Sequence, residues 1–533
     1  MMWTPRIELS PREEKICSRL TKQRRFFPFL RRMRHRLFDA NFQALLATMY
    51  SDTPRGTPPM PPAFLATVVL LQAYTRCSDF DAVSNAHHDA RWQMVLDLDG
   101  VDAEKAPFAE VTLVDFRARL VRTGMTTNLL RRTVDLARET QGFGYKQAAG
   151  LRIAIDSAPL DGAGKVEDTI NLLGRSLRML LQVIAAFVTM SPEEVAAEAH
   201  LPVLVAPSIK AGLDLDWHEP HARDAAVDEL VAHMERLTAW IQQRLAPGLS
   251  TLALEAARRQ VERIVTQDLE PDGAGGQRIR EGVAVDRQIS ISDPEMRHGR
   301  KSKTERIDGY KEYVARDLDN DLTIAAAVLP ANAPEKHGAD KLRCQIAVFG
   351  EVQSLSVDCA FLSSELFAEV RARPGGEVIC RALRPAQLGF YVKTDFDIDL
   401  AAQVVRCPAS KLAVIQSNHA HFATADCSAC ASRAKCQPAT AKQGRSISIH
   451  PEEALQQTFR AAQKTPQGRA RLRERVPVEH TLAHQRGAHG RFARYGGVDK
   501  NDFDSQRIAA MHNLQAIDRR VRNAEGKQGA AAA

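Results

Sequence analysis

At 533 residues the chain is too long for one ordinary hydrophobic core, so about two to four structural units are expected. A hydrophobic share of 44% and a charged share of 26% fit a globular protein and exclude a largely disordered one, while Lys plus Arg (72) exceed Asp plus Glu (65) only slightly. No apolar run approaches the roughly 18–20 residues of a membrane span, and the opening "MMWTPRIELSPREEK" is charged where a signal peptide is apolar, which points to a cytoplasmic protein.

In chain order, residues 1–50 read as a basic helical segment that ends in "SDTPRGTPPMPP", a Pro-rich linker at 51–62. Residues 63–145 follow a helical period throughout. In "TLVDFRARLVR" Leu113, Phe116 and Leu120 recur at helix spacing, and Thr112 with Asp115 resembles a capping box. This is an all-α domain.

"LRIAI", Leu151 to Ile155, is a short apolar run that fits a buried strand and ends at Asp156. A helical insertion then occupies about 168–275 and closes in the loop "EPDGAGGQ". "GYKEYVARD" and "LTIAAAVLP", joined by "LDND", predict a β-hairpin. A helix over 339–349, the strand "SLSV" ending at Asp358, a helix over 363–373 and the strand "GEVICRAL" follow. The order predicts a mixed α/β domain interrupted by helices after its first strand. The tail at 515–533, "AEGKQGAAAA" included, reads as frayed.

Two strand-terminal carboxylates, Asp156 and Asp358, can share a hard divalent cation, since neighbouring strands lie about 4.8 Å apart. The candidate third carboxylate is Glu479 in "RARLRERVPVEHTLAHQRG", where Arg475, Glu479, Leu482 and Arg486 fall on one helical face. Arginines beside a metal-binding acid suit a phosphate substrate. Pro477 predicts a kink or a new helix start two residues before Glu479.

Positive charge is gathered locally, in "KQRRFFPFLRRMRHR" (Lys22 to Arg36), "RHGRKSKTER" (Arg297 to Arg306) and the stretch from Gly468 to Tyr495. Such patches suit a polyanion. The predicted DNA-contacting residues are Arg297, Arg300, Lys301, Lys303 and Lys311 near the metal site. Arg24, Arg25, Arg31 and Arg32, with Arg34 and Arg36, form a second patch interleaved with Phe26, Phe27 and Phe29.

In "CPASKLAVIQSNHAHFATADCSACASRAKC", Cys427 and Cys430 have the spacing of a zinc half-site, and Cys407 with Cys436 supplies a second, less regular half. His419 or His421 could replace one ligand; the alternative is four reduced cysteines in a loop-rich insertion at about 395–445. Two other motifs are set aside. "GAGKV" lacks the first glycine and the Ser or Thr of a phosphate loop, and His87 with His88 reads as a helix surface.

From Pro61 to about Leu514 the chain resembles bacterial insertion-sequence transposases of the DDE type. "AIDSAPLDGAGKVEDTINLLG" resembles their first-aspartate region, "SDPEMRHGRKSKTERIDGYKEYVARDLDNDLTIAAAVLPAN" their second and third strands, and "SVDCAFLSSELFAEV" their second-aspartate region. Their signature Tyr-x2-Arg-x3-Glu-x6-Lys maps onto Arg475, Glu479 and Arg486, with Leu472 in place of the Tyr. The resemblance implies an RNase H-like catalytic domain over 146–514 behind a helical DNA-binding domain. It implies Mg²⁺ or Mn²⁺ on Asp156, Asp358 and Glu479, a structural Zn²⁺ on the cysteines, and phosphates held by Arg475 and Arg486. The implied activity is cleavage and strand transfer at the inverted repeats of the chain's own element. The partners would be double-stranded DNA of element ends and target, held by a homodimer or higher oligomer at the nucleoid. The alternatives are an inactive DNA-binding derivative, suggested by Pro477 and the missing Tyr, and a nuclease of the same fold.

Overall fold

The computed structural model describes residues 2–20, 24–51, 58–98, 104–140, 143, 150–245, 251–273, 275–301, 304–384 and 389–531, with side chains described as far as residue 524. Lys303 and residues 52–57 of the Pro-rich linker lie outside these residues.

Helices Pro11–Arg19, Phe26–Leu37, Ala40–Ala47, Pro62–Thr75, Asp79–His88, Ala90–Leu96, Glu110–Arg122 and Thr126–Arg138 form the N-terminal region. Local chemistry sets their starts. Ser10 and Ser78 form capping boxes with Glu13 and Asp81, and Asp39 and Asp89 cap the helices that follow them. Thr112 is not a cap; it lies inside the first turn of Glu110–Arg122, which Ala109 precedes. The helix Pro62–Thr75 is apolar on nearly every face, so it is buried at the centre of the bundle. Leu30, Leu37 and Leu46 pack into the same core as Val68, Trp92 and Phe116, so the segments 1–50 and 63–140 share one interior.

The sheet begins with β1 (Leu151–Asp161). The insertion then supplies the long helices Thr169–Val188, Ala222–Arg244 and Leu252–Asp268 around a core of its own. It ends not in a bare loop but in a short hairpin of β2 (Leu269–Pro271) and β3 (Gln277–Ile279). Thr169–Val188 is long and apolar enough to cross a membrane, a feature the sequence reading did not register, and 56% of its apolar window is buried inside the molecule. Next come β4 (Arg297–Arg300), β5 (Arg306–Asp317) and β6 (Leu322–Pro330), then β7 (Val352–Val357) and β8 (Glu377–Cys380), with helices Glu335–Ala347 and Glu365–Ala372 between the later strands. β5 and β6 form the expected antiparallel hairpin.

The strand order is β4-β5-β1-β7-β8, with β6 also on β5. β1 is antiparallel to β5 and parallel to β7, and β7 is parallel to β8, so the sheet is mixed. A second sheet of five short strands occupies the Cys-rich segment: β9 (Asp397–Asp399), β10 (Val404–Arg406), β11 (Leu412–Gln416), β12 (His419–His421) and β13 (Ser446–Ser448). This segment is therefore an antiparallel meander rather than loops.

Helices Glu453–Lys464, Pro466–Arg473 and Val476–His489 lead back to the main sheet. Pro477 stands in the first turn of the last of these, where its missing N–H costs nothing. The chain ends in one helix, Val498–Ala531. Of the expected frayed tail at 515–533, the described residues as far as Ala531 belong to this helix, and Ala516 and Ile517 are buried against the N-terminal bundle. The same helix covers the outer edge of β6. Asn513 and Asp502 accept the β6 backbone N–H groups of Thr323 and Val328, while Gln345, from the helix Glu335–Ala347, accepts that of Ala326. An edge that could otherwise pair with another chain is thereby closed.

Candidate active site

Asp156 is not at the end of its strand. β1 continues five residues beyond it, paired with β5, while the parallel pairing with β7 stops at Ala154↔Ser356. Two residues past that last pair on each strand stand Asp156 and Asp358, level with one another where β7 turns away. Side chains two apart share a face of a strand. The register therefore brings the two carboxylates together.

Arg475 joins them. Its Nη2 lies 2.8 Å from Asp156 Oδ1 and 2.9 Å from Asp358 Oδ2, and Nη1 also pairs with Asp358. The Ser157 N–H donates to Asp156 Oδ1 at 2.9 Å. Burial pushes the Asp156 carboxyl above its ordinary range, against the pull of Arg475 and the Ser157 N–H, and the neighbouring Asp358 charge adds to the rise. The two aspartates outweigh burial at Arg475 and hold its proton more firmly.

Glu479 sits in the first turn of Val476–His489, a helix that packs across β1 and β5. The restart at Pro477 turns it toward the aspartates: Asp156, Asp358, Arg475 and Glu479 line one open cleft of ≈ 520 Å³. Among the described residues, no three His, Cys, Asp or Glu side chains are arranged to hold a metal ion. The donor chemistry nevertheless fits a hard divalent cation, because every candidate ligand is a carboxylate and two of them already share one cation, the Arg475 guanidinium.

The other predicted residues divide. Arg300, Lys301 and Lys311 line the cleft, although Lys311 is buried against Glu335 with its Nζ 2.9 Å from Oε1. Arg297 is withdrawn from any DNA face: it is buried, pairs with Asp286 and donates to the carbonyls of Pro294 and Met296. Arg486 is exposed and does not line the cleft. In the N-terminal patch Arg24 and Arg32 are exposed and Arg25 is half-buried, but Arg31 and Arg34 are buried. Arg31 binds Glu13, and Arg34 donates to the carbonyls of Met94, Val95 and Arg6. Phe26, Phe27 and Phe29 are core residues. The interleaved patch is thus half interior, because a 3.6-residue period carries 27, 30, 31, 34 and 37 to one face.

The sequence reading missed Glu335, which lines the cleft, and Arg381, which lines a smaller pocket against Ser356, Arg475 and Glu479. The pairing Val357↔Cys380 places Arg381 level with Asp358. Only the strand register reveals that.

Cys407, Cys427, Cys430 and Cys436 line one small cavity of ≈ 30 Å³ in the second sheet. Cys407 Sγ accepts the Lys411 N–H at 3.3 Å and Cys427 Sγ the Arg445 N–H at 3.4 Å. His419 and His421 are exposed and stand outside this cavity.

Residues 17–119 match the family model of a transposase domain (DUF772), and residues 408–517 match that of the Transposase DDE domain. The second match contains Arg475 and Glu479 and stops short of both aspartates. No curated protein and no solved structure matches the chain. Helical bundle at the N-terminus, mixed sheet with helices behind it and both matches agree: the chain carries an N-terminal DUF772 transposase domain and a C-terminal DDE transposase domain, the latter implying polynucleotidyl transferase activity.

Proposed function

We propose that this transposase binds the terminal inverted repeats of its own insertion sequence, cuts the DNA there and joins the ends to target DNA, on an RNase H-like catalytic domain. The observation that carries this reading is the Asp156–Arg475–Asp358 bridge, with Glu479 lining the same cleft. Asp156, Asp358 and Glu479 would hold Mg²⁺ or Mn²⁺. Such ions, when bound, activate the attacking oxygen and neutralise charge on the leaving one.

The remaining work falls to the protein's own side chains. Arg475 draws the two carboxylates together and supplies a guanidinium fork that can turn to a phosphate oxygen. Arg300 and Lys301 hold the DNA backbone at the rim, which positions the strand without reading its sequence. The N-terminal helical domain recognises the repeats. Bringing two ends to one synapse requires at least two copies of the chain.

Asp156→Asn tests the reading in a cleavage and strand-transfer assay on DNA carrying the element's ends, with Mg²⁺ or Mn²⁺. Loss of nicking with retained end binding is expected; retained nicking refutes the assignment. Wild-type cutting without joining would make the protein a nuclease, and binding without cutting an inactive derivative.

The cysteine cavity supports a structural Zn²⁺. Four cysteines line one small cavity, and two of their sulfurs, those of Cys407 and Cys427, accept backbone N–H groups, as the sulfurs of zinc-bound thiolates do. About one zinc per chain in the purified protein, lost in Cys427→Ser/Cys430→Ser, is the expected result; a metal-free wild type refutes it.

A further inference from the structure

Cys359 follows Asp358 directly and opens the 3-10 turn Cys359–Phe361. Cys380 closes β8, the strand paired in parallel with β7. The two sulfurs are 3.5 Å apart and converge on one acceptor, the Arg381 carbonyl oxygen, at 2.8 Å from Cys359 Sγ and 3.2 Å from Cys380 Sγ. Cys380 is buried, whereas Cys359 is half-buried, and both are free thiols. Phosphoryl transfer at the neighbouring carboxylates requires neither.

We propose that Cys359 and Cys380 form an oxidative modification site, in which a peroxide closes a disulfide that pulls Asp358 out of line with Asp156. The effect on catalysis rests on Asp358 acting as a ligand, as in the function proposed above; the disulfide itself does not.

The chemistry balances with a peroxide as oxidant. The sulfur of Cys359, the more accessible of the two, attacks one peroxide oxygen. An S–O bond forms, the O–O bond breaks, and hydroxide leaves to take up the thiol proton as water, or as an alcohol from an organic peroxide. The sulfur of Cys380 then attacks that of the Cys359 sulfenic acid. The S–S bond forms, the S–O bond breaks, and a water leaves with the Cys380 proton. Two thiols lose two electrons and the peroxide gains them.

The geometry decides which side moves. A disulfide needs an S–S distance near 2.05 Å, so the sulfurs must approach by about 1.5 Å. Cys380 is held in the β7–β8 ladder at Val357↔Cys380. Cys359 belongs to a three-residue turn, and Asp358 is the residue that caps it. The Asp358 side chain is half exposed, and Arg475 is the cation that ties it to Asp156. Closure is therefore taken up by the turn and by Asp358. Displacing a reacting group by an ångström slows an enzyme by about a hundredfold.

The test uses the full-length protein, treated with hydrogen peroxide and digested without reduction, beside the same protein kept reduced. Peptide mapping should find Cys359 linked to Cys380, while Cys344, exposed on the helix Glu335–Ala347, stays unpaired and serves as the internal control. Mg²⁺-dependent nicking should fall by about a hundredfold in the oxidised wild type, return with dithiothreitol and resist peroxide in Cys380→Ser. Absence of the Cys359–Cys380 peptide overturns the site. A linked protein that nicks as fast as the reduced one overturns its effect on the cleft, and so does equal loss in Cys380→Ser. A reduced wild type that never nicks counts against the proposed function instead, and the peptide map still decides the disulfide.

Discussion

Arg31 and Glu13 form a bidentate pair inside the N-terminal bundle, with Nε–Oε1 at 2.8 Å, Nη2–Oε2 at 3.0 Å and each side chain 1% exposed. Arg31 also donates to the Ile7 and Glu8 carbonyls, so its charge is fully partnered. Burial works against the Glu13 carboxylate, yet Arg31 and the Ser10 N–H hold its pKa below the ordinary value. Removing one member leaves the other buried and unpaired. Arg31→Ala should therefore cost about 3–5 kcal/mol in urea unfolding. Arg32→Ala, on the exposed face, should leave stability within about 0.5 kcal/mol. If Arg31→Ala melts like the wild type and loses DNA affinity instead, the residue belongs to a DNA face after all.

Asn513 makes an analogous prediction at the other end of the chain. Its Oδ1 accepts the Thr323 N–H at 2.9 Å, and its Nδ2 donates to the Thr323 carbonyl at 2.8 Å and to Thr133 Oγ1 at 3.0 Å. One buried amide thus substitutes for a neighbouring strand and ties the edge of β6 to the N-terminal bundle. Asn513→Leu leaves those β6 groups without partners, and we expect a loss of about 1–3 kcal/mol in chemical denaturation. A chain truncated before Val498 should aggregate on expression, because the edge of β6 is uncovered.

These two sites mark what was legible in the sequence. The apolar run to Ile155, the hairpin of β5 and β6, the strand before Asp358 and the restart at Pro477 all came from local pattern, which a short window contains. Arg31 and Arg34 misled because charge was read before period: both fall on the stripe of Phe27, Leu30 and Leu37, and their partners, Glu13 and the carbonyls near Met94, lie in other helices. The tail misled in its first residues, because Ala516 and Ile517 are held by packing against distant helices, which no local pattern shows. Asp156 and Asp358 could be nominated, but their level placement depends on the register of β1 against β7, which no single segment encodes.

Acid stability should show a signature of His512. Burial, followed by the nearby charges of His484, Arg519, Arg316 and Arg76, lowers its pKa from 6.5 to about 4. The fold therefore holds a neutral imidazole, and between pH 6.5 and 4 the unfolded chain binds the extra proton. Stability is fully present above pH 6.5 and falls as the pH drops toward 4, by on the order of 3 kcal/mol for a shift of this size. Unfolding free energies measured from pH 7 to 4 should lose part of this slope in His512→Gln. An unchanged slope would assign the acid sensitivity to other groups.

The basic rim of the cleft separates the two roles that arginine takes in one short run. Arg300 and Lys301 line the cleft and are exposed, three and four residues after Arg297, which is buried against Asp286 with Nε 2.7 Å from Oδ1. Phosphate contacts are read by the dependence of log affinity on log salt, where each one lost lowers the slope by about 1. Arg300→Ala/Lys301→Ala should therefore bind duplex DNA with a slope smaller by about 2, at unchanged melting temperature. Arg297→Ala should do the reverse, lowering the melting temperature because the Pro294 and Met296 carbonyls lose this donor and Asp286 keeps only Asn332 and Arg263, and leaving the salt slope of the folded protein as it was. If both variants lowered the slope equally, the cleft would have to open around Arg297 when DNA enters. If neither did, the DNA path would lie elsewhere, and the exposed arginines 24 and 32 of the N-terminal bundle would be the next to replace.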